Sequence, residues 1–117
     1  MQKSNEVKVW GNPNTSRDFL FSDDLASLIY YLINKKIKYS YINVGSGKEV
    51  TIKKLVKLIK KITKFDGKVI YEKNMPAGQK RRFLDVSRVK KIGWTPKFSL
   101  EKGLEQYFNW FKRNYNN

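Results

Sequence analysis

Val9-Trp10-Gly11-Asn12-Pro13-Asn14-Thr15-Ser16-Arg17-Asp18-Phe19-Leu20-Phe21-Ser22-Asp23-Asp24-Leu25-Ala26 is the stretch on which the fold turns. Upstream and into it, Glu6 to Trp10 alternates around Val7, Val9 and the bulky Trp10, the period of a strand. Gly11-Asn12-Pro13-Asn14 has the composition of a turn. Arg17 to Phe21 reads as a second short extended piece, with one arginine held ahead of the apolar Phe19 and Phe21. Ser22 or Asp23 then caps a helix, whose positive N-terminal end suits the carboxylates of Asp23 and Asp24. Leu25, Leu28, Ile29, Leu32 and Ile33 repeat at helical spacing, and the helix should stop near Asn34-Lys35-Lys36. Strands and a helix alternating this closely predict an α/β fold.

The rest of the chain continues the alternation. Tyr39 to Val44 is an apolar, β-rich segment that predicts a strand ending in Gly45-Ser46-Gly47. Thr51 is an N-cap for a helix from Ile52 to about Thr63. The apolar face of that helix is Ile52, Leu55, Val56, Ile59 and Ile62, and its polar face is almost entirely lysine. Asp66-Gly67 marks a turn into a strand over 68–72, and Asn74 to Gln79 is a loop leading to Lys80-Arg81-Arg82. Asp85 or Ser87 caps a short helix that stops at Gly93, a suitable left-handed C′ residue. Ser99 caps a last amphipathic helix with Leu100, Leu104, Tyr107, Phe108 and Phe111 on one face, and a tail from Arg113 that should fray. Trp94 and Trp110 read as packing residues. No repeat, linker or internal boundary is visible, so the 117 residues read as one unit.

Composition excludes several chemistries. There is no cysteine and no histidine, so disulfides, zinc-thiolate sites and Ser-His or Cys-His pairs are out of reach. No apolar run approaches the roughly 20 residues of a membrane span, and residues 1–6 lack the apolar core of a signal peptide. A cytoplasmic protein is the expectation. The formal charge is +15, from 25 Lys+Arg against 10 Asp+Glu. Such a field attracts polyanions, yet most of the excess is lysine dispersed along helix faces, the pattern of a solubilising surface. No recognition helix, no exposed aromatic pair on a strand and no zinc module supports specific nucleic-acid binding. Nonspecific contact with phosphates along the lysine helix stays open.

Arg17 is the sharpest candidate for chemistry. Its planar fork of donors suits a diphosphate; a salt bridge to Asp18 or Asp23, or a solvated surface arginine, is the competing reading. Trp10 can pack on a sugar or base while its N–H donates one hydrogen bond, or it can be a core residue. Asp23 and Asp24 are adjacent at a helix start, point in different directions, and are better explained as caps than as a metal or acid–base pair. Gly45-Ser46-Gly47 is too short for a dinucleotide fingerprint.

Four blocks in order resemble a known group. The first is the opening stretch, with the pattern W-G-x5-R-[DE]-F-L-x2-D-D-L-A. The second runs from Ile42 to Ile52 (I-N-V-G-[ST]-G-x3-[ST]-I). The third runs from Pro76 to Arg88 (P-x-G-x2-R-[KR]-x-L-D-x-[ST]-[KR]), and the fourth from Ile92 to Leu104 (L-G-W-x-P-x2-[ST]-L-E-x-G-L). Together they resemble the nucleotide-sugar epimerases and reductases of the extended short-chain dehydrogenase/reductase group, most of all its GDP-L-fucose synthase branch. In that group the first block lies in the carboxy-terminal third of a much longer chain.

The resemblance implies an α/β, C-terminal substrate-binding segment of a Rossmann-type NAD(P)-dependent epimerase/dehydratase. Residues 6–50 would include the part that packs on a Rossmann domain missing here, and 51–117 would form the small nucleotide-sugar-binding domain. Trp10, Arg17 and Arg82 match the substrate-binding positions, Arg17 at the diphosphate and Arg82 facing the nucleotide. Ala77 replaces an aspartate usual in GDP-L-fucose synthases, which leaves the nucleobase open. The parent would use NADP, whereas this chain lacks the Gly-rich cofactor loop and the catalytic Tyr-x3-Lys pair. Tyr31 and Lys35 match that spacing only formally. The chain alone should therefore hold no cofactor or metal and be catalytically inert. Strand edges and a helix face deprived of their usual neighbours predict a homodimer or a rearranged sheet. A stand-alone basic anion- or nucleic-acid-binding module, descended from such an enzyme, is the alternative.

Overall fold

The structure, a computed structural model, describes residues 5–76 and 78–115. Ala77, the departure at the nucleobase position, lies outside them, as do residues 1–4, 116 and 117. Contacts divide the chain into two compact, interleaved units: residues 1–17 with 50–82, and residues 18–49 with 83–117.

In the first unit, β1 (Glu6–Trp10) pairs parallel with β4 (Lys68–Glu72), in the register Glu6↔Lys68 to Trp10↔Glu72. A parallel pair needs a long crossover, and the crossover carries α2 (Ile52–Thr63). Two short strands that the alternation did not announce complete a three-stranded sheet of order β3-β2-β5. They are β3 (Glu49–Thr51) and β5 (Arg81–Arg82), flanking β2 (Ser16–Asp18).

The expected turn after β1 is built on Asn12. Its carbonyl accepts from both the amide and the hydroxyl of Thr15 (3.1 and 2.8 Å), and its Oδ1 accepts from the Asn14 amide. Gly11 takes φ +89°, a conformation that favours glycine. The same turn starts α2. Pro13 and Thr15 carbonyls accept the amides of Lys53 and Ile52, both at 2.9 Å, and Thr51 Oγ1 accepts from Lys54. Three of the four amides a helix leaves open at its start are thereby satisfied. Val50 of β3 is buried, whereas Ile59, expected on the buried face of α2, is 40% exposed.

The second unit holds α1 (Ser22–Ile33), α3 (Ser87–Lys91) and α4 (Leu100–Tyr115). Leu28, Val86, Val89 and Trp94 form its core, with Leu20, Leu32, Ile42, Val44 and Ile92 packed around them. α4 runs through Arg113 to Tyr115, so the expected fraying does not start at Arg113. Trp94 is a core residue as expected, but Trp110 is 44% exposed. Position 110 falls between the buried and solvent faces of α4, and its ring reaches sideways onto Tyr107.

The expected strand at Tyr39–Val44 is not one. An extended segment becomes a strand only when a neighbour supplies ladder hydrogen bonds, and the described residues supply none there. Arg88 holds the segment instead, with its guanidinium 4.2 Å from the Tyr41 ring centre and donating to the Tyr41 carbonyl.

The caps expected at α1 also differ. Phe21 occupies the N-cap position and no side chain caps the helix. Asp24, only 1% exposed, accepts the amides of Lys97 (2.8 Å) and Phe98 (3.2 Å). From the first turn of α1 it latches the segment entering α4, both carboxylate oxygens being used on those two amides.

Candidate functional site

Arg17 and Arg82 are brought together. They are Cα partners in the parallel pairing of β2 with β5, as are Ser16 and Arg81. Paired residues share a face of a sheet, and alternation sends Arg81 to the opposite face. Two guanidiniums side by side repel each other, a cost that an anion lying across both would reverse.

Among the described residues no carboxylate neutralises either cation. Arg17 is half-buried, and its Nη1 donates to the carbonyl of Ser16 at 2.6 Å, fixing the fork against its own backbone. Among the described residues it has no ion-pair partner, so the competing salt bridge is not formed. Asp18 uses both carboxylate oxygens on the Gly45-Ser46-Gly47 turn instead. Gly78 stands where a side chain would press on Arg17: a Cβ there would lie 3.3 Å from Nη2. Arg82 is exposed and makes no side-chain hydrogen bond or ion pair among the described residues.

Trp10 ends β1 at 66% exposure and is not among the buried core residues of the described chain. It sits opposite Glu72, whose carboxylate meets Lys8 at 3.1 Å. The hydrogen bond to Glu72, with its charge, raises the Lys8 pKa above 10.5.

The turn at Gly45-Ser46-Gly47 does not fit a dinucleotide. The Ser46 amide and hydroxyl donate to Asp18 Oδ1, and the Gly47 amide donates to Oδ2 at 3.0 Å. The donors that would cradle a pyrophosphate are already spent on an aspartate. A Cβ on Gly45 would lie 2.4 Å from Asp18 Oδ2, so the clamp demands glycine. This pairing was missed in the sequence because its partners are 28 residues apart; a carboxylate two strands' reach from a Gly-Ser-Gly turn was the only signal.

Tyr31 and Lys35 have other work as well. The Tyr31 hydroxyl donates to the Ile92 carbonyl at 2.8 Å, and the Lys35 ammonium sits 4.6 Å over its ring. Among the described residues, no cluster of carboxylates forms a metal site, and no helix is long and apolar enough to cross a membrane.

A profile of the NAD dependent epimerase/dehydratase family matches residues 1–45. GDP-L-fucose synthase 1 of Arabidopsis thaliana is 40% identical over 109 residues, covering 93% of this chain and 34% of its own. The chain is thus similar to one part of the NAD dependent epimerase/dehydratase enzymes, with GDP-L-fucose synthases among its relatives. It spans about a third of the length of the curated relatives it matches.

Two solved members of the group show the same fold over most of the chain. A GDP-6-OMe-4-keto-L-xylo-heptose reductase from C. jejuni superposes with a TM-score of 0.82 at 29% identity, covering 92% of this chain and 34% of that one. The UDP-glucose 4-epimerase of Thermotoga maritima, solved with UDP-glucose, gives 0.80 at 30% identity, covering 92% and 35%. The expected α/β fold, a piece of a Rossmann-type epimerase/dehydratase, is thus the observed one.

Proposed function

We propose that this chain is the C-terminal, nucleotide-sugar-binding portion of an NAD(P)-dependent epimerase/reductase like the GDP-L-fucose synthases. In the parent, residues 6–50 include the part that packs on a Rossmann domain and 51–117 form the small substrate domain. NADP binds the parent on residues outside this chain and supplies its redox chemistry. The chain's own contribution is to bind and orient. Arg17 and Arg82 take the diphosphate, and Trp10 offers a face to sugar or base.

The observation that carries this reading is the Arg17↔Arg82 register, which sets two arginines on one sheet face with no carboxylate paired to either among the described residues. GDP-linked and UDP-linked sugars both remain substrate classes, because relatives of both kinds share the fold. On its own the chain turns over no substrate. Its unpartnered apolar side chains on α1, Ile29 and Ile33 among them, favour a homodimer in isolation.

The test is an amide NMR titration of the chain with GDP-mannose and UDP-glucose. Shifts should centre on Trp10, Arg17 and Arg82. Each charge-assisted hydrogen bond is worth about 1.5–3 kcal/mol, so Arg17→Ala should weaken binding about tenfold to a hundredfold. Shifts confined to the lysines of α2, or equal affinity for inorganic phosphate and the nucleotide sugars, would refute the assignment.

A further inference from the structure

α1 and α4 enclose a second site, within one unit and built from none of the residues assigned above. It is an open cleft of about 520 Å³, lined on one side by Phe21, Ser22 and Asp23, in the size range of small-molecule pockets. Tyr107 and Trp110 line it and stack on each other, with centroids 5.8 Å apart and planes 23° apart, while staying 57% and 44% exposed. Tyr115 packs edge-on against Trp110 at 5.7 Å, and the part-exposed pair forms an aromatic platform in the cleft.

The polar residues of the wall are equally uncommitted. Asp23, expected as a cap, caps nothing, because α1 starts with no side-chain cap. Among the described residues its carboxylate has no ion-pair partner, and the side-chain amides of Gln106 and Asn109 have no hydrogen bond. Arg113 donates from Nε to the Asn109 carbonyl at a long 3.4 Å, which keeps its terminal fork available. The wall therefore offers a carboxylate acceptor, two amides that both donate and accept, and a planar donor.

The charge of this wall identifies the ligand class. One carboxylate and one guanidinium cancel, on a chain whose formal charge is +15. A phosphate or carboxylate ligand has better sites elsewhere on such a surface, so the cleft suits a neutral molecule. A flat apolar face with several adjacent hydroxyl groups satisfies both the aromatic platform and the mixed donors and acceptors. A sugar ring presents that combination: its C–H face packs on the rings and its hydroxyls meet the carboxylate and amides.

We propose that the cleft between α1 and α4 is a binding site for an uncharged saccharide, separate from the Arg17–Arg82 site. It shares no residue with the Arg17–Arg82 site, but Phe21, Ser22 and Asp23 lie in residues 6–50, the stretch that includes the part assigned above to packing on the parent's Rossmann domain, so the proposal concerns the cleft as this chain presents it on its own.

The experiment is an amide and indole NMR titration of the full chain with maltotriose and with adenosine. Maltotriose should shift the Trp110 indole N–H and the amides of Asp23 and Asn109, with a dissociation constant in the millimolar range, and leave Arg17 and Arg82 unmoved. Trp110→Ala should weaken binding about tenfold, as the loss of a central aromatic anchor does. Asp23→Asn keeps the side chain's size and removes only its charge, so it tests the site without threatening the fold; a severalfold loss is expected. Three results would overturn the proposal. One is no shift at Trp110 with maltotriose up to tens of millimolar. Another is adenosine binding there in place of maltotriose. The third is light scattering and concentration-dependent Trp110 shifts showing that a second copy covers the cleft.

Discussion

Alanine at position 24 should be among the most damaging single changes in this chain, although Asp24 lies far in sequence from the groups it holds. The side chain is 1% exposed and accepts two backbone amides, Lys97 at 2.8 Å and Phe98 at 3.2 Å. Hydrogen bonds to a charged group contribute about 1.5–3 kcal/mol each, and a buried amide left unpaired carries a penalty of similar size. Water entering the vacated space would recover part of that penalty. The expected destabilisation is about 3–5 kcal/mol, against a stability of roughly 6–18 kcal/mol for a chain of this length. Phe98 also packs edge-on against Phe21 at 5.0 Å, so losing the latch loosens an aromatic contact as well.

Asparagine separates the two contributions. Its one oxygen can serve one amide, while its NH2 meets the other donor to donor, so Asp24→Asn should cost about 2 kcal/mol. Urea unfolding followed by far-UV circular dichroism measures both values. If both variants fall within about 0.5 kcal/mol of the parent, the range of ordinary surface changes, then Asp24 is not a latch. An Asn variant less stable than the Ala variant would refute the donor–acceptor reasoning specifically.

Leu28→Ala removes a side chain that is 1% exposed at the centre of the second unit's core and should cost about 3–4 kcal/mol in the same urea experiment. Gly45→Ala forces a Cβ to within 2.4 Å of Asp18 Oδ2, so it should destabilise strongly by itself and much less in an Asp18→Ala background; a double-mutant cycle showing no coupling would contradict the clamp. Lys64 holds φ at +53° as the C-cap of α2, so Lys64→Gly should stabilise by about 0.5–1 kcal/mol, read from the thermal midpoint. The Asp85 pKa is lowered, chiefly by the hydrogen bond from the Ser87 amide, so its contribution at the start of α3 is present above pH 3.8 and is lost as pH falls through its lower folded value. Amide exchange at Ser87 should rise in that acidic window, and Asp85→Asn should flatten the response.

Much of this architecture was legible because local rules decide it. The Gly-Asn-Pro-Asn turn, the Thr51 cap, the limits of β1 and α2 and the left-handed Gly93 all follow from chemistry within a few residues. What was illegible depends on partners distant in sequence. Tyr39–Val44 has the composition of a strand, but being one requires a neighbour. β3 and β5 exist only because they flank β2, and two or three residues carry no periodicity to detect. The candidate site divides along the same line. Arg17 and Arg82 were each identifiable as donors, but their facing each other is a property of register, set by pairing across 65 positions.

The aspartates make the sharpest case. Asp18, Asp23 and Asp24 lie within seven residues and look alike to a capping rule. In the fold one clamps a Gly-Ser-Gly turn, one latches the segment entering α4, and the third, left without either task, faces an open aromatic cleft. Two of the three roles pair part-buried backbone amides that have no other partner among the described residues. The third is not needed to satisfy the fold, and a charged side chain that the fold does not require is where a ligand is most economically sought.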